Sequence, residues 1–207
     1  MDAWRVYTSK VGNTMAQISV SSEHADSASG AHATPLALSA IALTTFFFGA
    51  SQVSFFSTSA IIGLVFLFGG LVQLVIGLWD HRSGDHAHAA IFATHGGFWL
   101  TYGAMLQLGG HIGNFALAGG NELGFFFLAW TIFAGMTSLS TWRAHFAHVG
   151  AYLFFFLTFL AMTIGTFAAN STFNHIGGWL GIVTAFLAAY SALASMGSPF
   201  TFPTGSR

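Results

Sequence analysis

One histidine differs from the chain's other ionisable residues in its surroundings. His95 lies within the stretch 86–121, which carries no formal charge and is mostly apolar. An unperturbed imidazole titrates near pH ~6.5 and can donate or accept a hydrogen bond. Because ionisable groups deep in a membrane span are usually functional, His95 is the first candidate for chemistry. The alternative is a neutral ring that is hydrogen-bonded to a neighbouring helix.

Neutral polar side chains form a second group of candidates. Gln52, Gln73, Gln107, Thr44 and Thr45 all interrupt apolar stretches. Each needs a hydrogen-bond partner, because lipid offers none. Hydrogen bonds between helices are the favoured explanation, and a polar pathway through the protein is the alternative.

Histidine and aspartate are concentrated in one short segment between two apolar stretches. The residues are Asp80, His81, Arg82, Asp85, His86 and His88, and His145 with His148 forms a further pair. Such groups at these spacings are typical of metal ligands. The membrane interface is also where they are least costly to place, and a solvated loop explains them equally well. We therefore predict no metal site, no cofactor and no catalytic residue in a protein that is not an enzyme.

The elements that position these residues must be membrane helices. The chain is 54% hydrophobic and 5% charged, against roughly 25% charged in soluble domains. A bilayer core of about 30 Å requires about 20 helical residues, and the uncharged stretches accommodate six such helices. The apolar runs lack the alternation of barrel strands. The predicted fold class is therefore all-α integral membrane, with spans at 36–55, 61–79, 90–108, 124–142, 146–168 and 178–196.

The distribution of basic residues predicts the topology. With six spans, both termini lie on the same side as the loops around Arg82 and Arg143, and these segments hold all five Lys and Arg residues. The positive-inside rule then puts both termini in the cytoplasm, with the protein in the plasma or inner membrane. We predict a disordered tail over 1–34, a membrane domain over 35–197 and a short C-terminal tail over 198–207. The scattered basic residues offer no patch for nucleic acid.

Small residues recur at every fourth position of the last predicted span. They are Gly177, Gly181, Ala185 and Ala189, and they form one flat stripe on a helix. Such stripes allow close helix packing. Packing within the chain is the favoured interpretation, and a contact between copies of the chain is the alternative.

Four stretches of the chain share residues with one known family. They contain Pro35, Leu36, Leu38, Thr44 and Thr45; then Gly69, Gly70, Gln73, Gly77 and Asp80; then Phe92, Thr94, Gly96, Phe98, Trp99 and Leu100; and last His175, Gly178, Trp179, Gly181 and Tyr190. From about His32 to Ala194 the chain therefore resembles the acetate uptake transporter (AceTr) family, which includes succinate-acetate permeases. It departs from the family's first motif at His32, Ala33, Thr34 and Ala37.

The resemblance implies a function and a set of site residues. Members move acetate and related small acids such as succinate, in a proton-linked or channel-like manner, through a path within each protomer of a homo-hexamer. The residues aligned with the family's constriction are Ile41, His95 and Leu157, where His95 replaces a Tyr. Ala188 aligns with a position implicated in substrate size. The remaining expected pathway residues are Pro35, Leu36, Leu38, Thr44, Thr45, Gln73 and Thr158.

These expectations predict a mechanism with two rivals. A small carboxylate would lose its water at the apolar neck, and would cross as the protonated acid or paired with a protonated His95. One rival is a channel for another small solute, such as formate or ammonia. The other is a membrane metal or haem protein with histidine ligands, which would need two imidazoles at matching depth, whereas only His95 lies in the middle of a span.

Overall fold

The described part of the chain is helical. The protein is described by a computed structural model over residues 14–15, 17, 34–108, 120–143 and 146–197, and none of these residues lies in a strand. The predicted all-α class is confirmed. Six long helices follow one another: α1 (Thr34–Gln52), α2 (Thr58–Arg82), α3 (His86–Leu108), α4 (Gly120–Ser140), α5 (Phe146–Phe167) and α6 (Ser171–Ser195).

Five of these helices are long and apolar enough to cross a membrane. They are α1, α2, α4, α5 and α6, and each overlaps a predicted span. The main difference in bounds is at α6, which begins at Ser171 because the Asn170 side chain caps it by accepting a hydrogen bond from the Thr172 amide at 2.9 Å. The remaining long helix, α3, has 23 residues. It is not among the five because histidine, threonine and glycine lower its mean hydropathy.

The helix α2 is not a uniform α-helix. It begins with a 3₁₀ turn (Thr58–Ile61) and a short α segment (Ile62–Leu64), continues as a π-helix (Val65–Val72), and ends as an α-helix (Gln73–Arg82). Segments of π-helix are rare and are frequent at functional sites. This one places Gly69 and Gly70 against α3, where a Cβ on Gly70 would lie 2.5 Å from the Leu100 side chain.

Each helix contacts the next along the chain, and α6 closes the ring against α1. In α1 the most apolar window is 67% buried, whereas in α4 it is 28% buried, so α1 is central and α4 is peripheral. The contacts that join neighbouring helices include Gly69 with Thr44, Gly77 with Ala93, Phe98 with Trp130, Thr131 with Thr163, Gly177 with Met162, and Gly49 with Gly178.

The small-residue stripe of α6 packs mainly within the chain. A Cβ on Gly177 would lie 2.9 Å from the Met162 sulfur, and Gly181 faces the backbone of Gly49. Ala185 is buried, whereas Ala189 is exposed at the end of the stripe. Packing within the chain, the favoured interpretation of the stripe, therefore accounts for three of its four positions.

The predicted tails are not part of this description. Most of residues 1–33 and all of residues 198–207 lie outside the described residues, as does the segment 109–119 between α3 and α4. The prediction of a disordered N-terminal tail stays a prediction.

Candidate functional site

A small enclosed cavity lies between α1, α3, α5 and α6. Its volume is about 10 Å³, which is close to the smallest space that holds one water molecule, roughly 10–15 Å³. Its walls are mostly apolar, and we call this point in the interior of the bundle the neck. The lining residues are Leu38, Ile41, His95, Ala151, Tyr152, Phe155, Thr184 and Ala188.

The ring of His95 is held in one orientation within the neck. Its Nδ1 lies 2.7 Å from the carbonyl oxygen of Ile91, one helical turn earlier. A carbonyl can only accept, so Nδ1 carries the hydrogen and donates it. The ring stands against Phe155, with 4.8 Å between centroids, and against Phe133 at 5.7 Å and Tyr152 at 6.3 Å. His95 is 2% exposed, so this is a buried imidazole with aromatic neighbours.

Buried polar side chains of α1, α2 and α3 lie within one helical turn of the neck. We call Thr44, Thr45, Gln73 and Trp99 the polar cluster. Thr45 follows Ile41 by four residues on α1, and Trp99 follows His95 by four residues on α3, so each lies about 6 Å further along its helix. A Cβ on Gly69 would lie 2.7 Å from Thr44 Cγ2 and 2.6 Å from Trp99 Cγ, which shows how closely α1, α2 and α3 approach here. Gln73 follows Gly69 by one turn on α2, which runs antiparallel to α1 and α3, so it lies closer to the level of the neck than the others do.

The polar cluster is buried and unpaired. In the part of the chain that the structure describes, both threonine hydroxyls, both amide atoms of Gln73 and the indole nitrogen of Trp99 have no hydrogen-bond partner, and neither does His95 Nε2. Buried polar atoms are almost always hydrogen-bonded. Hydrogen bonds between helices therefore do not account for these side chains among the described residues, whereas the alternative, a polar pathway, is compatible with them.

The threonines on α5 and α6 differ from those on α1. The Thr158 hydroxyl donates to the Phe154 carbonyl at 2.8 Å, and the Thr184 hydroxyl donates to the Leu180 carbonyl at 2.9 Å. Each has one hydrogen, which is already committed, so these two residues can only accept from a visiting molecule. The α1 hydroxyls can still donate.

The structure brings together some of the predicted site residues and separates others. Leu38, Ile41, His95 and Ala188 line the neck, Thr44, Thr45 and Gln73 lie in the polar cluster, and Thr158 is fully buried on α5. Leu157 does not line the neck. It follows Phe155 by two residues and therefore points about 200° away around the helix. Pro35 is half-buried and Leu36 is exposed at the start of α1.

Sequence analysis expected Leu157 as the contribution of α5 to the neck and did not anticipate Tyr152 and Phe155. Tyr152 and Phe155 lie three residues apart and face His95. Their spacing places them on one face of a helix, but α5 is rich in aromatic residues on all sides, so the pattern alone did not identify which face is internal.

Asp80 is buried, contrary to its expected place in a solvated loop. The residue is 2% exposed, and its Oδ2 has no partner among the described residues. It lies two turns after Gln73 on the same inner face of α2, because seven residues correspond to about two helical turns. His81 and Arg82 are exposed, as predicted for this segment.

The neighbouring histidines form one pair with each other and one pair with an aspartate. His81 Nδ1 and His86 Nδ1 lie 3.4 Å apart, and His88 Nδ1 lies 2.6 Å from Asp85 Oδ2. Burial opposes ionisation of Asp85, but its hydrogen bonds with His88 outweigh burial and lower the pKa of the carboxyl. No group of three potential metal ligands occurs among the described residues, which exclude His145.

The arrangement defines a multi-pass helical membrane protein with a small, mostly apolar cavity between four of its helices. A family model described as the GPR1/FUN34/yaaH family matches residues 14–204. The chain belongs to this family, and the resemblance expected from the sequence is confirmed.

Named relatives cover most of the chain. Acetate permease A of Emericella nidulans is 33% identical over 185 residues, which are 80% of this chain and 61% of the relative. The Escherichia coli succinate-acetate/proton symporter SatP is 29% identical, covering 80% of this chain and 88% of the relative. Ammonia transport outward protein 2 of Saccharomyces cerevisiae is 29% identical, covering 86% and 68%. These names describe transporters.

A solved structure has the same fold. The structure of the bacterial acetate channel SatP superposes with a TM-score of 0.77 at 24% identity, covering 84% of this chain and 98% of that one. The likeness supports the helical architecture described above.

Proposed function

We propose that this chain moves acetate and related small monocarboxylates across a lipid bilayer, through the neck at Ile41 and His95. The observation that carries the proposal is the small apolar neck, with a buried, unpaired polar cluster within one helical turn of it. Apolar constrictions gate by excluding water, and unpaired hydrogen-bond donors inside a bundle can bind a small polar substrate. Relatives named acetate permease and succinate-acetate/proton symporter support this choice of cargo.

The proposal includes α3 as the sixth span. Its 23 residues extend about 34 Å, which is enough to cross the hydrocarbon core. It packs between α2 and α4, both of which are long and apolar enough to cross. Six spans give a pathway within each protomer and, from the distribution of basic residues, two cytoplasmic termini in the plasma or inner membrane.

Uptake of labelled acetate into proteoliposomes tests the function. Native protein should give uptake above that of protein-free vesicles at several pH values, and His95→Ala and His95→Tyr should change the rate or its pH profile. Thr101→Val is the matched control, because Thr101 is on the same helix but exposed. Uptake no faster than in protein-free vesicles would reject the proposal.

Two further parts of the proposal need their own measurements. Assembly as a homo-hexamer predicts six times the protomer mass in detergent, measured by light scattering after gel filtration, and a monomer would contradict it. Ammonia is the second candidate cargo, because a relative at 29% identity is named an ammonia transport protein. Competition of acetate uptake by ammonium salts at constant pH distinguishes the two.

A further inference from the structure

The hydrogen-bonding role of His95 is fixed by its own helix. Nδ1 donates to the Ile91 carbonyl at 2.7 Å, so in the neutral ring the hydrogen is on Nδ1 and Nε2 carries a lone pair. Nε2 is buried, and it has no partner within the described part of the chain. An unpaired hydrogen-bond acceptor therefore belongs to a ring that lines the neck.

The other groups around the ring do not supply a charge. Of the residues that line the neck or stack on His95, Tyr152 on α5 is the one with a titratable side chain, while α1, α4 and α6 contribute Ile41, Phe133 and Thr184. Asp80 on α2 follows Gly77, which packs against Ala93, by three residues on a helix antiparallel to α3, so it lies toward the start of α3 and away from His95.

The Thr184 hydroxyl, like His95 Nε2, can only accept a hydrogen bond from a molecule in the neck. Its hydrogen is committed to Leu180, so this group also acts as an acceptor. A carboxylate has acceptor oxygens only and would set lone pairs against lone pairs at this point. An undissociated carboxylic acid, or a primary amide of the same shape, has a hydrogen to donate.

We propose that His95 Nε2 selects cargo that donates a hydrogen bond, so that the neck passes the undissociated acid and its uncharged isostere, the primary amide, rather than the carboxylate. This inference rests on the proposed transport function and narrows its substrate class. It adds acetamide, which is never charged, as a cargo that an anion pathway would reject.

Native protein in proteoliposomes tests the inference without any substitution. With the membrane potential clamped by potassium and valinomycin, the protein-dependent rate of acetate entry at fixed total acetate should fall about tenfold per pH unit above the pKa of the acid, as the undissociated fraction does. The rate should not respond to the potential. Acetamide should enter faster than in protein-free vesicles, measured by light scattering, and should compete with acetate.

Variants at the ring give an independent measurement. His95→Phe keeps an aromatic ring without the acceptor, and it should lower acetamide entry by up to about tenfold, the factor expected for one net hydrogen bond. His95→Gln keeps an acceptor and should retain more of the rate, and Thr101→Val should match the native protein. Gel filtration establishes that each variant is folded.

The outcomes separate the inference from the function. Protein-dependent acetate entry that follows the anion concentration and responds to the potential, or excludes acetamide, overturns the inference and leaves transport standing. Absence of protein-dependent acetate entry at every pH rejects the proposed function. If neither acetate nor acetamide enters in a protein-dependent manner, both the proposed function and the inference are rejected.

Discussion

Replacing Gln73 with leucine tests whether the polar cluster is kept for transport at the expense of stability. Gln73 is fully buried on α2, and neither its amide oxygen nor its amide nitrogen has a partner among the described residues. Leucine has a similar volume, and its side chain has no polar atom that needs a hydrogen-bond partner. The substitution therefore removes two unpaired groups without creating a large cavity.

The expected change in stability follows from these two atoms. A buried, unsatisfied polar group costs about 1–3 kcal/mol, so removing the amide should raise the free energy of unfolding by about 1–3 kcal/mol if the cluster is dry. For a chain of this size each kcal/mol raises Tm by about 2–4 °C. Water in the cluster would reduce the gain towards zero but would not reverse its sign.

The assay compares thermal unfolding in detergent with acetate uptake. Gln73→Leu should unfold at an equal or higher temperature than the native protein while its uptake falls. Gln107→Leu is the matched control, because Gln107 is exposed near the end of α3 and the same chemical change there removes no buried group. A Tm lowered by several degrees in Gln73→Leu would mean that the amide has a stabilising partner, and the reasoning would be refuted.

Three other predictions follow from close contacts and from a helix cap. Gly49→Ala should lower stability by about 1–3 kcal/mol, because its Cβ would lie 2.5 Å from a carbonyl oxygen of α6; Gly97→Ala, with nothing within 4 Å, is the control, and an equal Tm for both would contradict the contact. Gly69→Ala should reduce acetate uptake, because its Cβ would displace side chains of the polar cluster; uptake equal to that of Gly97→Ala would contradict this. Asp85 caps α3 by accepting from the His88 amide at 3.1 Å, so Asp85→Ala should cost about 1 kcal/mol and Asp85→Asn less. Because the pKa of Asp85 is lowered in the folded protein, its contribution is present above the unfolded pKa and should fade as the pH falls through the folded pKa; a difference in Tm between native protein and Asp85→Asn that does not change with pH would contradict this.

The sequence predicted the helices well because charge is costly in lipid. The charged residues between 80 and 143 separate the apolar stretches, and the observed helices end close to them. The π-helix in α2 was not predicted, because it depends on how Gly69 and Gly70 meet α3, and no local pattern specifies that contact. The burial of Asp80 was missed for the same reason: its position at the end of an apolar stretch suggested a loop.

The site was predicted only as far as single residues could be. His95 was chosen for its depth in an uncharged stretch, and Ile41 and Ala188 were chosen from the family resemblance; all three line the neck, and their role in a pathway stays a prediction. Neither the position of residues in uncharged stretches nor the family resemblance showed which face of α5 points into the bundle. The direction of a side chain on a helix changes by about 100° per residue, so a difference of two positions exchanges Leu157 for Phe155.

The neck and the polar cluster have opposite hydrogen-bonding roles, and this contrast suggests where a proton is taken up. On α1 and α3 the cluster has donors that are not committed within the described residues: the hydroxyls of Thr44 and Thr45 and the indole of Trp99. Such donors can hold a carboxylate in its charged form. One turn away, the neck has acceptors and an apolar wall, where an unpaired charge would be costly. Under the proposed function we infer that a carboxylate at the cluster gains a proton before it passes His95, which would make flux depend on protons without any protein group having to change its charge.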